Sequence, residues 1–403
     1  MAESLSSDPT GPRRSCRLKI LILSSEFPPG PGGIGTHAYQ LAKNFTMASQ
    51  KVLILTPQDY ATDEEIHNFN HTQPFTVKRF KPKKSPFSKA LHRIRDFNSC
   101  LREFKPDVVL ASGSRSIWIA VLLMAFYRSI PWFIVAHGTE FGQFDGIKAW
   151  VTRKCANRAS AIICVSDYTR KIVRLSGVDK APLEVIHNGA DDSLFFELDA
   201  GEVSRLRKTL GVDGKFVLLT VGHVSARKGQ EVVIRALPII LEKAPQVVYW
   251  MAGLPTEREY LQALAKELGV ENAIRFLGRV SNEELRGLYN ACDLFVMTSR
   301  QLADGDYEGY GIAVIEAALC GKAAVVSDKS GLAEAVDDGQ TGLLVKQNDP
   351  GAVAEAICRL IEDPQELNAL SKKALSKASK QTWSKISAVY LDIFPEVIKR
   401  VES

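Results

Sequence analysis

The sequence predicts an α/β protein made of two doubly wound, Rossmann-like domains facing each other across a cleft. Short apolar runs alternate with helix-length segments along the chain, and they do so in two blocks. The runs are continuous rather than alternating apolar and polar, as expected of parallel strands buried on both faces. Each Gly-, His- or Glu-bearing motif follows directly after such a run, where ligands bind in open parallel sheets.

The elements follow in order. Residues 1–17 are polar, lack the apolar core of a signal peptide and are expected to form a disordered tail. The first block, residues 18–190, holds strand-like runs at Leu18–Leu23, Val52–Leu55, Val108–Ala111, Phe133–Ala136, Ile162–Val165 and Val185–His187. The second, residues 191–380, holds Phe216–Val221, Val247–Met251, Ile274–Leu277, Leu294–Thr298, Ala323–Ser327 and Gly342–Val345. The seam is expected near Asn188–Glu202, and residues 381–403 carry a last helical segment from Trp383 to Ile398. The longest apolar run, Ile117–Tyr127, is too short to cross a bilayer and reads as a buried helix. A chain of 403 residues is long enough for two substantial cores.

Seven scattered cysteines without a Cys-x-x-Cys spacing argue against a zinc site and a disulfide framework, and fit a reducing cytoplasm. Charge is uneven. Residues 1–190 carry 26 Lys+Arg and 15 Asp+Glu, net +11, and the remainder 25 and 31, net −6. Much of the excess lies in Lys78–Arg95, with eight basic residues and no acidic one. That stretch reads either as a solvated surface segment or as a contact for anionic lipid headgroups or an anionic acceptor. Its Phe87, Leu91 and Ile94 fall at helical spacing among basic residues, as in a helix lying on a membrane. Nucleic acid is disfavoured, because no stacking aromatics are interleaved with the charges.

Glu308-Gly309-Tyr310-Gly311-Ile312-Ala313-Val314-Ile315-Glu316 sets two carboxylates eight residues apart around a Gly-x-Gly turn that opens an apolar helix. Such a turn leaves the first helical N–H groups bare, a seat for phosphate. A carboxylate on either side of a seated diphosphate suits a sugar nucleotide, since a carboxylate accepts two O–H donors. A glycosidase pair is the alternative, but Glu316 lies past the phosphate seat and is poorly placed to flank one bond. Gly30-Pro31-Gly32-Gly33-Ile34-Gly35 fits the G-x-G-x-x-G dinucleotide fingerprint, with Asp59 near the expected acidic position. Prolines 28, 29 and 31 indicate a stiffer, longer loop, and the competing reading is a backbone at Gly32 and Gly33 that approaches a diphosphate. Beyond Gly222, Arg227 and Lys228 can neutralise a leaving diphosphate; otherwise they are an exposed basic pair at a helix start. His137 either meets a ligand, caps its strand or pairs with Glu140, and His37 reads as a packing residue at a helix start. Asp304-Gly305-Asp306 has the D-x-D spacing of a metal site but lies in a loop, Gln301–Tyr307, that reads as solvated; no metal is expected.

The Glu308–Glu316 segment resembles the Glu-x7-Glu motif of retaining GT-B glycosyltransferases of family four, and the resemblance covers most of the chain. It is joined in order by Ser24-Ser25-Glu26-Phe27-Pro28-Pro29, Gly32-Gly33-Ile34-Gly35-Thr36-His37, Ala136-His137-Gly138-Thr139-Glu140, Val165-Ser166-Asp167-Tyr168-Thr169, Val185-Ile186-His187-Asn188-Gly189-Ala190-Asp191, Val221-Gly222-His223-Val224-Ser225-Ala226-Arg227-Lys228-Gly229, Phe276-Leu277-Gly278 and Asp337-Asp338-Gly339-Gln340-Thr341-Gly342. The resemblance implies a GT-B fold whose last helix packs back on the first domain. It implies retaining transfer of a hexose from a nucleotide-sugar donor to a hydroxyl acceptor, in the cytoplasm or at the inner face of the membrane, with no cofactor. The chain looks like the phosphatidylinositol mannosyltransferases of the family; the loop before Glu308 resembles an insertion of some mannosyltransferase members, which tilts the donor toward GDP-mannose, and the basic stretch Lys78–Arg95 tilts the acceptor toward a lipid-linked or envelope glycan. UDP-glucose and a soluble acceptor stand as the alternative. The catalytic groups it implies are His137, on a sugar hydroxyl, with Glu308, Lys228 and Arg227. Gly32, Gly33, Gly222, Tyr310, Gly311 and Ile312 would line the donor beside Arg227 and Lys228, and Glu316 would accept the ribose hydroxyls. One departure stands out: the family commonly has Arg where this chain has His223, so Arg227 is expected to supply that guanidinium. A sugar-nucleotide epimerase of similar form and a non-catalytic nucleotide-sugar binder are the competing functions.

Overall fold

The computed structural model describes residues 17–30, 32–58, 61–80, 85–142, 146–303 and 305–402. Its first sheet contains β1 (Lys19–Ser24), β2 (Lys51–Thr56), β3 (Thr76–Arg79), β4 (Val108–Ser112), β5 (Trp132–Ala136), β6 (Ala161–Cys164) and β7 (Leu183–Val185). All are parallel, in the order β3-β2-β1-β4-β5-β6-β7. The second contains β8 (Phe216–Val221), β9 (Val247–Ala252), β10 (Ile274–Gly278), β11 (Leu294–Met297), β12 (Ala324–Ser327) and β13 (Gly342–Val345), parallel in the order β10-β9-β8-β11-β12-β13. In register, Ile22 of β1 sits between Ile54 of β2 and Leu110 of β4, all fully buried, so the central strands are apolar on both faces. Strand order reverses between β1 and β4 and again between β8 and β11, which opens a crevice beyond the strand ends of each sheet.

The chain crosses between the sheets twice, and the crossings touch. Ala190 N donates to Gln381 O at 3.0 Å, and Trp383 N donates to Ala190 O at 3.1 Å. Gly189 has no room for a side chain there, since a Cβ would lie 2.9 Å from Gln381 O. After the second crossing, helix Trp383–Glu402 lies on helix Gly33–Met47 of the first sheet. Phe394 packs 5.8 Å from Phe45 and 5.1 Å from Phe133 between ring centres, and Tyr390 Oη is 3.2 Å from His37 Nε2.

Three expectations change. Strand β3 was not foreseen, and it takes Arg79 out of the basic surface stretch, while Lys78 stays exposed and pairs with Glu103 at 2.9 Å. Arg79 is half-buried and donates to Asn70 Oδ1, Pro57 O and Pro28 O; burial draws its pKa down to about 10. Farther along, helix Pro86–Phe104 turns Phe97, Cys100 and Leu101 into the core, Leu91 alone among its large described apolar residues is exposed, and Arg93 stands 5.4 Å over the Phe80 ring. Finally, the Ile117–Tyr127 run forms helix Ser114–Met124, which buries Ile117, Ala120, Val121 and Met124 but leaves Leu122 54% and the following Phe126 83% exposed. Residues 1–16, Pro31, Asp59, Lys81, Lys83, Lys84 and Asp304 lie outside the described residues. The six described cysteines are free and buried, and no described helix is long and apolar enough to cross a membrane.

Candidate active site

Strand β8 delivers Gly222 to the cleft. Its φ of 140° is one that L side chains rarely adopt, and a Cβ there would lie 3.1 Å from Lys228 Cε, so the bare glycine makes room for the Lys228 stem. A 3-10 turn over Ala226–Lys228 follows, tied to the end of β11 by Arg300, whose N–H donates to Arg227 O and whose Nε donates to Ala226 O, both at 2.8 Å. The turn aims both cations at one carboxylate. Lys228 Nζ lies 2.7 Å and Arg227 Nη1 2.5 Å from Glu308 Oε2, and Arg227 Nε lies 3.2 Å from Asp306 Oδ2. Burial alone would raise the Glu308 pKa, but Lys228 and Arg227 outweigh it and hold the group at about 2. Burial also opposes the charge on Arg227, and there Glu308 and Asp306 prevail and raise its pKa. Asp306 is thus part of a largely buried charge cluster rather than a solvated loop. His223 is exposed and hydrogen-bonds Thr256 Oγ1, away from this cluster.

Helix Ile312–Leu319 starts at Gly311, with φ 86° and no side-chain cap, so its first N–H groups carry no side-chain partner. The Tyr310 ring is buried, stacked 4.9 Å from His187 with its hydroxyl accepting from Gln381 Nε2 at 3.0 Å, which leaves its backbone for any ligand. Ile312 is partly buried beside Gly311. One and a half turns in, Glu316 Oε2 accepts from Tyr289 Oη at 2.8 Å, and burial lifts the Glu316 pKa to about 7 against that bond. Tyr289, on helix Asn282–Ala291, had drawn no notice in the sequence because nothing local marks it.

His137, at the end of β5, hydrogen-bonds Ser112 Oγ at 2.9 Å from the end of β4. Burial lowers its pKa to about 4, so the ring is neutral at pH 7. Glu140 does not pair with the ring. Its Oε2 accepts the backbone N–H groups of His137 and Gly138 at 3.1 and 2.9 Å, its Oε1 is buried without a partner, and burial lifts its pKa to about 7. His37 is buried against His137 and Trp383, at 4.9 and 5.3 Å between ring centres, as a packing residue would be. Gly32 caps helix Gly33–Met47 with φ 139°, and a Cβ on it would lie 2.0 Å from Glu26 Oε2, whereas Gly33 faces open space. A carboxylate, Glu26, therefore stands at the helix start where a diphosphate was expected to approach. Burial raises its pKa, while Arg115 and the Gly35 N–H pull the other way.

The two halves meet through backbone. A Cβ on Gly309 would lie 1.9 Å from His137 O, and one on Gly138 would lie 2.7 Å from the Tyr307 ring. Arg279 Nη2 donates to Pro29 O at 2.8 Å, joining the end of β10 to the loop before Gly32. Glu308, Lys228 and Arg227 are thus brought together; His137 faces them across the Gly309 contact, and Glu316 stands farther along the helix. Among the described residues, one group gathers three metal-ligand atoms within 4.8 Å: Asp167, His187 and Glu334. Both Glu334 oxygens are already hydrogen-bonded there, to the Asp167 and Tyr168 N–H groups and to His187.

Residues 203–377 match the family model described as Glycosyl transferases group 1, and residues 31–194 match that of Glycosyltransferase Family 4. The chain is 26% identical to a glycogen synthase of Mycobacterium tuberculosis over 94% of each chain. It is 32% identical to a GDP-mannose-dependent alpha-(1-6)-phosphatidylinositol monomannoside mannosyltransferase of Mycolicibacterium smegmatis, over 58% of this chain and 62% of that one. Among solved structures it is similar to Anabaena HepE in complex with UDP and glucose, with a TM-score of 0.79 and 26% identity, covering 94% of this chain and 100% of that one. A sucrose-phosphate synthase from Thermosynechococcus elongatus shares the fold, with a TM-score of 0.81 and 22% identity, covering 95% and 100% of the two chains.

Proposed function

For a chain that belongs to glycosyltransferase family four, with the two-domain GT-B fold, and that transfers a sugar from a nucleotide sugar, we propose retaining transfer of a hexose to a hydroxyl acceptor. The observation that carries this is the pairing of Lys228 and Arg227 with the single carboxylate of Glu308, beside an uncapped helix start and opposite His137. The helix N–H groups and the two cations receive the donor diphosphate and stabilise the charge that grows as it leaves. Glu308 then contacts the transferred sugar, His137 hydrogen-bonds a sugar hydroxyl as a neutral ring, and Glu316 accepts the ribose hydroxyls in place of the Tyr289 hydroxyl. Gly32 and Gly33 close over the donor from the opposite domain. The acceptor hydroxyl attacks on the face the diphosphate leaves, and a donor phosphate oxygen takes its proton, so the protein contributes orientation and charge rather than a nucleophile.

GDP-mannose is the donor we favour, supported by the M. smegmatis mannosyltransferase; UDP-glucose is the second reading, supported by the UDP and glucose in HepE. The acceptor we propose is lipid-linked, presented at the inner face of a membrane. What supports it is the exposure of Phe126, Ile147 and Trp150 on the first domain, the last with Lys154 Nζ 5.9 Å from its ring centre, and the net basic charge of that domain's sequence. A thermal-shift screen of UDP-, GDP- and ADP-sugars tests the donor, because a bound ligand raises stability by mass action. GDP-mannose is expected to give the largest shift and to be turned over; a response to UDP-glucose alone selects the second reading, and a response to none overturns both.

A further inference from the structure

We propose that Glu334 is a positioning residue, an interdomain latch that ties closure of the cleft to the placement of Glu308. It rests on the reading of Glu308, Lys228 and Arg227 as the donor site. Glu334 belongs to the second domain, on the 3-10 turn Gly331–Ala335, yet both its oxygens are spent on the first. Oε1 accepts the Tyr168 N–H at 2.7 Å, and Oε2 accepts the Asp167 N–H at 2.8 Å and lies 3.1 Å from His187 Nε2. Asp167 and Tyr168 open helix Asp167–Leu175. Ser166, its own cap, takes the Thr169 N–H at 3.0 Å, so the first turn draws one partner from its own domain and two from across the cleft. A carboxylate at a helix start is favoured by the hydrogen bonds and by the helix dipole together.

The same turn holds the donor loop. Gly331 N donates to Glu308 O at 3.1 Å, and Gly331 has no space for a side chain: a Cβ would meet Gly309 O at 1.8 Å and Ser166 Oγ at 2.7 Å. Gly309 in turn lies against His137 O. Docking of Glu334 on the helix therefore seats Gly331 on Ser166, and with it Glu308–Gly309 on the end of β5. His187, beside the interdomain crossing, joins the two through its stack on Tyr310. When the domains part, the helix start loses two partners and the Glu308 loop loses its support at once.

Small-angle X-ray scattering and nucleotide titration of the wild type, Glu334→Ala, Glu334→Asp and Gly331→Ala test the latch. Removing two charge-assisted hydrogen bonds is expected to shift the closed-to-open ratio by at least roughly a hundredfold. Glu334→Ala should have a larger radius of gyration than the wild type without ligand, and kcat should fall by about thirtyfold while the Kd for UDP or GDP changes less than about threefold. Glu334→Asp should recover part of kcat. Gly331→Ala should reproduce the defect with the carboxylate intact, which keeps the test informative if Glu334→Ala folds poorly. The latch is overturned if Glu334→Ala and Gly331→Ala scatter as the wild type does, or if kcat falls only in proportion to lost folded protein. If neither UDP nor GDP binds the wild type, the donor-site reading fails, whereas the unliganded scattering still decides whether Glu334 holds the domains together.

Discussion

Glu308 neutralises two cations at once, and that decides what its loss does. Glu308→Gln leaves Lys228 without its counter-charge and Arg227 with Asp306 alone, so the bare nucleoside diphosphate should bind at least as tightly as to the wild type. Turnover should fall at least about tenfold, because the sugar contact is gone. Calorimetry with UDP and GDP beside steady-state kinetics checks both, and a weakened diphosphate would show the residue to be misassigned. Lys228→Ala should lower kcat by about a hundredfold, since it removes charge aimed at the leaving group. Glu316→Ala should mainly raise KM, because the ribose does not change in the reaction; losses confined to KM in both variants would contradict this division. Glu140 gives a pH test. Its pKa rises from 4.5 unfolded to about 7 folded, so the stability it contributes is fully present below pH 4.5 and is lost as pH rises to about 7. Relative to Glu140→Gln, the wild type should lose on the order of 3 kcal/mol of unfolding free energy between pH 4.5 and 8. Urea titrations at the two pH values that differ equally for both proteins would rule this out.

Among the elements, those with a repeating or local signal were legible in the sequence and those held by distant partners were not. Most strands announce themselves as apolar runs, although Arg275 interrupts β10, and β7 carries Glu184 and lies two residues before the expected Val185–His187. Strand β3 does not: it is short, lies at a sheet edge and alternates exposed with half-buried residues, so the half-buried Arg79 reads as surface charge like its exposed neighbour Lys78. The pairing of Arg227 and Lys228 with Glu308 joins motifs that the sequence had already marked. Glu334 and Tyr289 carry no local mark, because their partners lie 166 and 27 residues away in the chain. Glu26 was visible only as part of a motif, without a role. The turn Glu308–Gly311 also gives an element-scale prediction. Gly309→Ala would put a Cβ 1.9 Å from His137 O, so the loop must back away from β5. Turnover should drop at least about tenfold with the far-UV circular dichroism unchanged; wild-type kinetics in this variant would mean that the contact is dispensable.

At the scale of the molecule, the exposed Phe126, Ile147 and Trp150 lie in a stretch of sequence with a basic excess. Between Val108 and Ser166 the chain has six Lys and Arg against two acidic residues, one of them the buried Glu140. Vesicles of anionic lipid should therefore sediment the protein at low salt, zwitterionic vesicles should not, and added salt should release it. Ile147→Ser with Trp150→Ser should weaken the binding at least about tenfold. A wild type that ignores anionic vesicles at low salt would instead favour a soluble acceptor. The double crossing at Ala190 and Thr382 has a practical corollary. Because helix Trp383–Glu402 returns to the first domain, positions near residue 18 and near residue 400 ride on one body. A pair of fluorophores attached there would stay silent through every cycle of opening and shutting, while a pair at Leu175 and Lys346 would report it.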